Sequence, residues 1–424
     1  MSFQDKTTFS MVASRERQHG ERIHRLAKYR ARILPIAAIY GGNASGKTNL
    51  FEALRFVEFM VSEGVEPDEP IPVETFRLDD EATKKPAHFS IELLIEGAIF
   101  DFSFSATPEA ILEERLVKVT SSSEQVLYHR DKNQIDFHKS LPQKRRLQFA
   151  FEGTPDNQLF LSHLVLAKVA EFKSVGDWFG NRLMFISPDT RLDPTIQILE
   201  QVDAFYASMN EMLGLLDTGI TRLGREEIPL GSLPMPKGSE AALLNQLKEG
   251  MAFYAREDEN QGDYITLTRK NNRLIAEKLI CFHAKSGGTE IPFDVQEEPN
   301  SVCRLLDILP AFLGLMSQNS RTVCVMDEID RSLHPLLIHL LIKQYLSLCS
   351  SSTRSQLLMT THNAHLMNQK LLRRDEILVT ERDGFGASSL IAFSEYKDIR
   401  YDKDIQKSYL QGRLGGVPRL LDNF

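Results

Sequence analysis

Residues 36–48 of this chain read Ile36-Ala37-Ala38-Ile39-Tyr40-Gly41-Gly42-Asn43-Ala44-Ser45-Gly46-Lys47-Thr48. A strand-like apolar run is followed by a glycine-rich loop, which fills every position of the pattern G-x-x-x-x-G-K-[ST]. Apolar residues then recur at largely helical spacing from Leu50 to Phe59, so a helix is predicted directly after the loop. Backbone N–H groups of such a loop face phosphate oxygens. The segment therefore predicts a site for a nucleoside triphosphate.

Each residue type in this predicted nucleotide site has a chemical role. Lys47 places a positive charge near the β- and γ-phosphates, and the Thr48 hydroxyl is a ligand for Mg²⁺. The residues predicted to bind the cofactor are Gly41, Gly42, Asn43, Ala44, Ser45, Gly46, Lys47, Thr48 and Asn49. The predicted cofactors are ATP and Mg²⁺. A chance glycine-rich turn, the competing interpretation, does not explain the strand and helix patterns on either side.

A second motif, Thr322-Val323-Cys324-Val325-Met326-Asp327-Glu328, is an apolar run that ends in two carboxylates. Buried parallel strands are continuous apolar runs, and ligands bind at the carboxyl ends of such strands. Asp327 is therefore predicted to bind Mg²⁺, directly or through water, and Glu328 to polarise the attacking water. The alternative is that both carboxylates only cap the following helix.

A third strand-like run, from Gln356 to Thr361, ends at His362. The order of phosphate loop, carboxylate pair and histidine resembles that of the ABC ATPases. In that class a histidine after the next strand contacts the γ-phosphate, and His362 matches this position as a catalytic residue. A metal site formed with His365 is disfavoured, because no carboxylate or cysteine completes a ligand set at the usual spacing.

Several further blocks carry a closer resemblance. They are Ile39–Leu50, Arg304–Asp307, Thr360–Asn363 with Leu371–Ile377, and Tyr409–Pro418. Together they resemble the stand-alone bacterial ABC-type, SMC-like ATPases of abortive-infection and anti-phage systems, the RloA/AbiL-like group. The resemblance implies an SMC-like ATPase head without a long coiled coil, and such ABC-type heads form a homodimer or higher oligomer. It also implies a separately encoded effector, often a nuclease.

One block departs from this family. Dimers of ABC ATPases complete each ATP site with a signature loop from the opposite subunit, and the equivalent stretch here is Glu298–Arg304. Ser301 stands where the family pattern has glycine, and it is the predicted cofactor contact of this loop. Asn300 and Ser301 are expected to cap the following helix. Because glycine permits close backbone approach and serine does not, slow hydrolysis is expected.

Composition restricts the remaining functional classes. The net charge of −8 argues against a protein covered with basic residues for nucleic acid, although a local patch is left open. The arginine-rich run Arg15–Arg32 contains Glu16 and Glu21, so a solvated helical face is favoured over a DNA-binding patch. Four cysteines without C-x-x-C spacing indicate neither disulfides nor zinc. No apolar run approaches the length of a membrane span and the N-terminus lacks a signal-peptide core, so a cytoplasmic protein without a membrane partner is predicted.

The predicted fold is α/β: a P-loop NTPase, an ABC-type ATPase head with an antiparallel β-subdomain and an inserted helical subdomain. Alternation in residues 89–95 and 100–104, joined through Glu96-Gly97, predicts the first hairpin of the β-subdomain. The predicted segments are an ATPase lobe at 1–150, a mostly helical insertion at 151–285 and a second ATPase lobe at 286–424. The Gly- and Pro-rich stretch 219–238 predicts an exposed loop.

The function predicted from the sequence is an ABC-type ATPase that dimerises around ATP and holds or releases an effector in anti-phage defence. One alternative is a repair-type ATPase, RecF-like or SMC-like, that clamps DNA itself. The other is a scaffold that stays bound to ATP with low turnover, which the altered signature loop would favour.

Overall fold

The structure, a computed structural model, describes residues 2–121, 123–188, 198–199, 202–233, 239–256, 264–396, 405–413 and 415–416. The helices are α1 (Lys47–Ser62), α2 (Asp80–Thr83), α3 (Lys144–Glu152), α4 (Phe160–Leu166), α5 (Lys173–Arg182), α6 (Val202–Gly214), α7 (Ser239–Gln246), α8 (Asn300–Met316), α9 (Pro335–Leu348) and α10 (Ile405–Leu410). The strands are β1 (His24–Leu26), β2 (Ala31–Ile33), β3 (Ile36–Gly41), β4 (Ala87–Ile95), β5 (Ala98–Ala106), β6 (Ile111–Val119), β7 (Glu124–Asp131), β8 (Gln134–Phe137), β9 (Leu183–Ile186), β10 (Ile198–Leu199), β11 (Ile220–Ile228), β12 (Ala252–Arg256), β13 (Tyr264–Lys270), β14 (Arg273–Ala284), β15 (Glu290–Asp294), β16 (Val323–Met326), β17 (Gln356–Thr360), β18 (Ile377–Arg382) and β19 (Ser388–Ala392).

The contacts of the chain divide it into two compact units. The first unit comprises Met1–Leu183 and Ser350–Phe424, and the second comprises Met184–Cys349. The first unit contains the strands β19, β18, β3 and β17 side by side in that order. β3 is parallel to both β17 and β18, and every residue of β3 is buried. A fully buried parallel strand is a continuous apolar run, as the sequence predicts for β3.

The predicted β-subdomain lies in the first unit as an antiparallel sheet in the order β4-β5-β6-β7-β8. β4 and β5 pair from Ala87↔Ala106 to Ile95↔Ala98, so the hairpin predicted from the alternating residues is confirmed. Its turn residues Glu96 and Gly97 have φ values of 52° and 77°. Two left-handed residues give a turn whose twist matches that of the flanking strands.

A buried carboxylate links this sheet to helix α4. Glu114 on β6 is fully buried and accepts hydrogen bonds from the N–H groups of Phe160 (2.7 Å) and Leu161 (2.8 Å) and from the Tyr128 hydroxyl (2.7 Å). The Arg130 guanidinium lies 3.6 Å from the same carboxylate. Burial raises the pKa of Glu114, while Arg130 and the hydrogen bonds oppose that change. The carboxylate thus satisfies two N–H groups at the start of α4 that have no partner within the helix.

Replacement of Glu114 tests the importance of this link. We expect Glu114→Ala to lower the free energy of unfolding by about 3–5 kcal/mol, because it leaves Arg130 buried without its counter-charge. The neighbouring Glu113 is exposed and contacts His129 at 3.0 Å, so Glu113→Ala is the matched control, with an expected loss of about 1 kcal/mol or less. Urea unfolding of both variants measures the difference. Equal losses would show that the buried carboxylate does not stabilise the fold.

The second unit is built around an antiparallel sheet in the order β10-β12-β13-β14-β11, with β15 paired to β14. One core cluster of this sheet contains Ile265, Leu267 and Ala276. Helix α6 packs on β11 and on α8, and the Tyr206 hydroxyl lies 2.7 Å from the Thr266 hydroxyl. β16 is paired with β9 in the same unit.

The described part of segment 151–285 contains helices, as expected, but about as much of it is antiparallel strand. Residues 220–228, predicted as part of an exposed loop, form strand β11, which pairs with β14. That loop prediction is wrong for these residues, because apolar Ile220 and Leu223 are buried beneath α6 despite the flanking glycines. Residues 234–238 of the predicted loop lie outside the described residues.

The arginine-rich run Arg15–Arg32 is not helical, although five of its basic residues are exposed as expected: Arg15, Arg17, Arg25, Lys28 and Arg30. It forms short 3₁₀ turns and the antiparallel pair β1–β2. Arg22 is 5% exposed, lies 2.5 Å from the Glu376 carboxylate and donates to the Leu371 carbonyl at 2.9 Å. A partner more than 300 residues away decides this burial, and charge spacing within the run does not reveal it. Among the described residues, no helix has the length and apolar character needed to cross a membrane.

Candidate functional site

The predicted phosphate loop connects β3 to α1 in the first unit. β3 ends at Gly41 and α1 begins at Lys47, so loop and helix start where the sequence predicts. Asn43 and Ala44 are exposed at the tip of the loop, and Thr48 is exposed in the first turn of α1. Helix α1 has 16 residues and begins directly after the loop, and the start of a helix presents backbone N–H groups to an anion. The loop can therefore present backbone donors and a hydroxyl to a phosphate chain.

Two glycines are required by the shape of the loop. Gly46, which precedes α1, has a φ of 99°, a left-handed conformation that favours glycine. A β-carbon on Gly41 would collide with the side chains of Thr380 and Ser45 and would lie 2.7 Å from the Thr380 carbonyl oxygen. Ala44 is also left-handed, with a φ of 60°. Backbone strain of this kind concentrates at functional sites.

Lys47 lies within the loop instead of extending into solvent. Its side chain is 6% exposed, and its ammonium donates to the carbonyls of Gly41 (2.9 Å) and Gly42 (3.1 Å). This geometry places the positive charge of Lys47 beside Gly41 and Gly42, at the start of the loop. An ammonium is a compact charge that suits phosphate oxygens.

Thr380 is a residue of this site that sequence reasoning missed. It lies on β18, is fully buried, and its hydroxyl is 2.6 Å from the Ser45 hydroxyl and 3.2 Å from the Tyr40 carbonyl. Ser45 in turn donates its N–H to the Gly42 carbonyl at 3.2 Å. Thr380 thus ties the loop to the neighbouring parallel strand. The only sequence signal for it is a polar residue within the apolar run of β18.

The carboxylate pair lies in the second unit, directly after β16. Asp327 is 8% exposed, and its N–H donates to the Ile186 carbonyl at 2.9 Å, which extends the pairing with β9. Glu328 has a φ of 46°, and its side chain is 40% exposed, with Arg331 at 4.0 Å. A left-handed glutamate is uncommon and costs about 1–3 kcal/mol. The conformation turns the chain sharply at Glu328, so the two neighbouring carboxylates do not follow the alternation of a strand.

His362 lies in the first unit, two residues beyond β17, and is exposed. The preceding Thr361 is buried and donates its N–H to the Ile39 carbonyl of β3 at 3.1 Å. The following Asn363 is buried and accepts the His365 N–H at 3.0 Å, which caps a 3₁₀ helix over Ala364–Leu366. The structure therefore fixes the backbone on both sides of His362. Within the described residues, no cluster of three or more His, Cys, Asp or Glu side chains fits a metal ion.

The signature-like stretch differs from the expectation in one respect. Helix α8 begins at Asn300, its N-cap is Pro299, and no side chain caps it. Asn300 and Ser301 are exposed residues of the first helical turn, so the prediction that they cap the helix is wrong. The Pro299 carbonyl accepts the N–H groups of Val302 (2.9 Å) and Cys303 (3.0 Å) instead. Pro299 takes the N-cap because its φ of −59° and ψ of 150° lead directly into the helix.

The resemblance block Arg304–Asp307 lies on the buried side of α8. Arg304 is 6% exposed and donates to the Ser187 carbonyl at 3.2 Å. Asp307 is 1% exposed and accepts a hydrogen bond from the Tyr264 hydroxyl. These two residues therefore anchor α8 inside the second unit.

Comparison with known proteins gives the family. A family model described as "AAA domain, putative AbiEii toxin, Type IV TA system" matches residues 36–368. No curated protein matches the chain. A crystal structure of the SmcHead bound to the C-winged helix domain of ScpA is 12% identical over 85% of this chain and 92% of that chain, with a TM-score of 0.37. The SMC head domain from Thermotoga maritima is also 12% identical, over 84% of this chain and 89% of that chain, with a TM-score of 0.27.

The family match spans the phosphate loop, the carboxylate pair and His362. The α/β class and the P-loop predicted from the sequence agree with this match and with the parallel strands β17, β3 and β18. Since the matched residues make up well over half of the sequence, the chain belongs to this AAA-domain family of P-loop ATPases.

Proposed function

We propose that this chain binds ATP with Mg²⁺ and hydrolyses it, and that two copies close around the nucleotide. The observation that carries the proposal is Lys47, a buried ammonium held by the Gly41 and Gly42 carbonyls inside a glycine loop. A positive charge fixed inside a glycine-rich loop at the start of a helix fits an anionic ligand, because the charge and the N-terminal end of the helix lie at the same place. The triphosphate of ATP is such a ligand.

The residues of the loop fit the proposed cofactors. Backbone N–H groups of the loop and of the start of α1 would hold the phosphates, Lys47 would neutralise their charge, and the Thr48 hydroxyl with the Asp327 carboxylate would hold Mg²⁺. Thr48 is exposed and Asp327 is 8% exposed, so both residues are accessible to an ion. When bound, Mg²⁺ neutralises charge on the phosphates.

Hydrolysis requires a group that orients water. We assign this role to Glu328, whose exposed side chain follows the buried Asp327. His362 would contact the γ-phosphate, and Ser301 at the exposed start of α8 would contact the nucleotide bound to the second copy. The serine in place of glycine makes slow turnover the expected behaviour.

For the biological role we propose defence against phage, through a separately encoded effector that the ATP-driven closure holds or releases. The support is the resemblance to abortive-infection ATPases and the family description, which names a toxin and a toxin–antitoxin system. An ATP-dependent closure can act as a switch, because it creates or removes a surface that spans both copies. Within that role, we propose that the chain is a member of the RloA/AbiL-like group of ATPases.

Direct clamping of DNA through the basic run would have to use its exposed residues, which are Arg15, Arg17, Arg25, Lys28 and Arg30. Arg22, part of the basic run, is buried against Glu376 and is not available to a phosphate backbone. DNA binding by the purified protein that weakens steeply with salt would support this alternative, because phosphate contacts release counterions.

The test of the proposed function is ATP binding and phosphate release by the purified protein, with and without Mg²⁺, together with the mass of the complex in solution. We expect binding, slow Mg²⁺-dependent release of phosphate and a dimer that forms with ATP. A protein that binds no ATP would overturn the proposal. A protein that binds ATP and forms the dimer but releases no phosphate would be the low-turnover scaffold instead.

A further inference from the structure

The segment that ends the described chain packs against the strand that leads into the phosphate loop. We call residues 405–413, 415 and 416 the tail segment; it contains helix α10 and lies in the first unit. The Tyr409 ring on α10 meets the Tyr40 ring on β3 edge to face, with 6.0 Å between the ring centroids. The Tyr409 hydroxyl donates to the Gly416 carbonyl at 3.1 Å. Burial raises the pKa of Tyr409, which keeps this hydroxyl protonated as a donor.

Two glycines of the tail segment approach the loop and β18 more closely than other residues could. Gly415 and Gly416 both have a φ of 69°. A β-carbon on Gly416 would lie 3.4 Å from Cα of Gly41 and 3.3 Å from the Tyr409 ring, and it would collide with Val379. A β-carbon on Gly415 would collide with the Glu381 carboxylate. Close backbone approach of this kind requires glycine.

Strand β18 contacts both the tail segment and the phosphate loop. Glu381 accepts the Gly416 N–H at 3.0 Å, and the preceding residue, Thr380, holds Ser45 of the phosphate loop at 2.6 Å. Neighbouring residues of this strand point to opposite sides, so Thr380 faces the loop while Glu381 faces the tail segment. A shift of the tail segment would therefore be passed to Gly41 both directly and through β18.

The tail segment also contacts the turn that carries the proposed γ-phosphate contact. Helix α10 packs against the 3₁₀ helix Ala364–Leu366, which begins two residues after His362. The Gln406 side-chain nitrogen lies 3.4 Å from Nδ1 of His365. One short segment thus contacts both the start of the phosphate loop and the turn after His362.

We propose that the tail segment is a positioning element of the nucleotide site, with Tyr409, Gly416 and Glu381 as its positioning residues. The proposal rests on the ATPase function proposed above. Gly41 supplies one of the two carbonyls that hold the Lys47 ammonium, so displacement of Gly41 moves the charge that faces the phosphates. None of the three residues needs to touch ATP for this effect.

The first experiment compares Gly416→Ala with Gly412→Ala. Gly412 has a φ of 71°, almost that of Gly416, but a β-carbon there would meet no described atom within 4 Å. The two variants therefore carry similar backbone strain, and only the first collides with Val379 on β18, the strand that holds the phosphate loop. We expect at least a ten-fold weaker Kd for ATP with Mg²⁺ in Gly416→Ala and less than a two-fold change in Gly412→Ala, with similar Tm values without nucleotide.

A second pair of variants keeps the test decisive where Gly416→Ala does not fold. Glu381→Gln retains an oxygen that accepts the Gly416 N–H, whereas Glu381→Ala removes it. We expect Glu381→Ala to weaken ATP binding at least five-fold and Glu381→Gln to restore most of the affinity.

The outcomes separate this inference from the proposed function. A parent protein that binds no ATP overturns the ATPase function and this inference with it. A parent that binds ATP, with Gly416→Ala matching Gly412→Ala, or Glu381→Ala matching Glu381→Gln, overturns the positioning role alone. A lowered Tm with unchanged Kd would give the tail segment a structural role only and would equally overturn the inference.

Discussion

Lys47→Ala is expected to abolish ATP binding and hydrolysis while leaving the protein folded. The substitution removes the ammonium that the Gly41 and Gly42 carbonyls hold inside the phosphate loop. Loss of a charge that faces the β- and γ-phosphates removes the main electrostatic attraction for the ligand. Titration calorimetry with Mg²⁺ and ATP measures binding, and a phosphate-release assay measures turnover. We expect Kd to rise at least 100-fold and turnover to fall to background.

The fold should survive this substitution, because the two hydrogen bonds lost are local to the loop. Each hydrogen bond to a charged group contributes about 1.5–3 kcal/mol, so a lower Tm is expected but no unfolding. Lys139→Ala, at an exposed position, is the control for the loss of one lysine charge. If the Lys47 variant binds and turns over ATP like the Lys139 variant, the phosphate loop is not a nucleotide site.

The elements that could be predicted from the sequence are those fixed by neighbouring residues. The strand β3, the loop and the start of α1 follow from one continuous stretch of sequence. The turn at Glu96-Gly97 follows from the positive φ that a tight hairpin turn requires, which glycine adopts readily. Each of these depends on contacts a few residues apart. Apolar alternation and turn residues are visible in a single window.

The features that could not be predicted depend on contacts between distant segments. Arg22 is buried because Glu376 meets it, and Thr380 belongs to the site because β18 lies beside β3. The approach of Gly416 to Gly41 likewise needs the tail segment to return to the start of the sheet. The sequence shows that Gly415 and Gly416 are adjacent, but it does not show which residues they approach. The prediction for the start of helix α8 was wrong for a local reason. Asparagine and serine are common N-cap residues, but here Pro299 occupies the N-cap position.

Glu328→Gln is expected to leave ATP binding intact and to lower hydrolysis by about 10²-fold or more, the range in which a general base contributes. Glutamine keeps the shape of the side chain but has no carboxylate to orient and deprotonate water. Glu328 has a left-handed backbone with a φ of 46°, so its side chain does not continue the alternating side-chain directions of β16. Strain held at one residue directly after a buried aspartate is consistent with a catalytic position.

The same variant should change the oligomer, because hydrolysis is proposed to release the closed dimer. We expect Glu328→Gln to accumulate as an ATP-bound dimer, measured by light scattering after size-exclusion chromatography with Mg²⁺ and ATP. Asp330→Asn is the second variant to measure, since Asp330 lies two residues further along the same turn and is the next candidate for the base. Parental hydrolysis in Glu328→Gln together with a loss in Asp330→Asn would move the base to Asp330. If Glu328→Gln loses hydrolysis but stays monomeric with ATP bound, nucleotide binding does not drive dimer closure, and the proposed coupling to an effector through a two-copy surface is wrong.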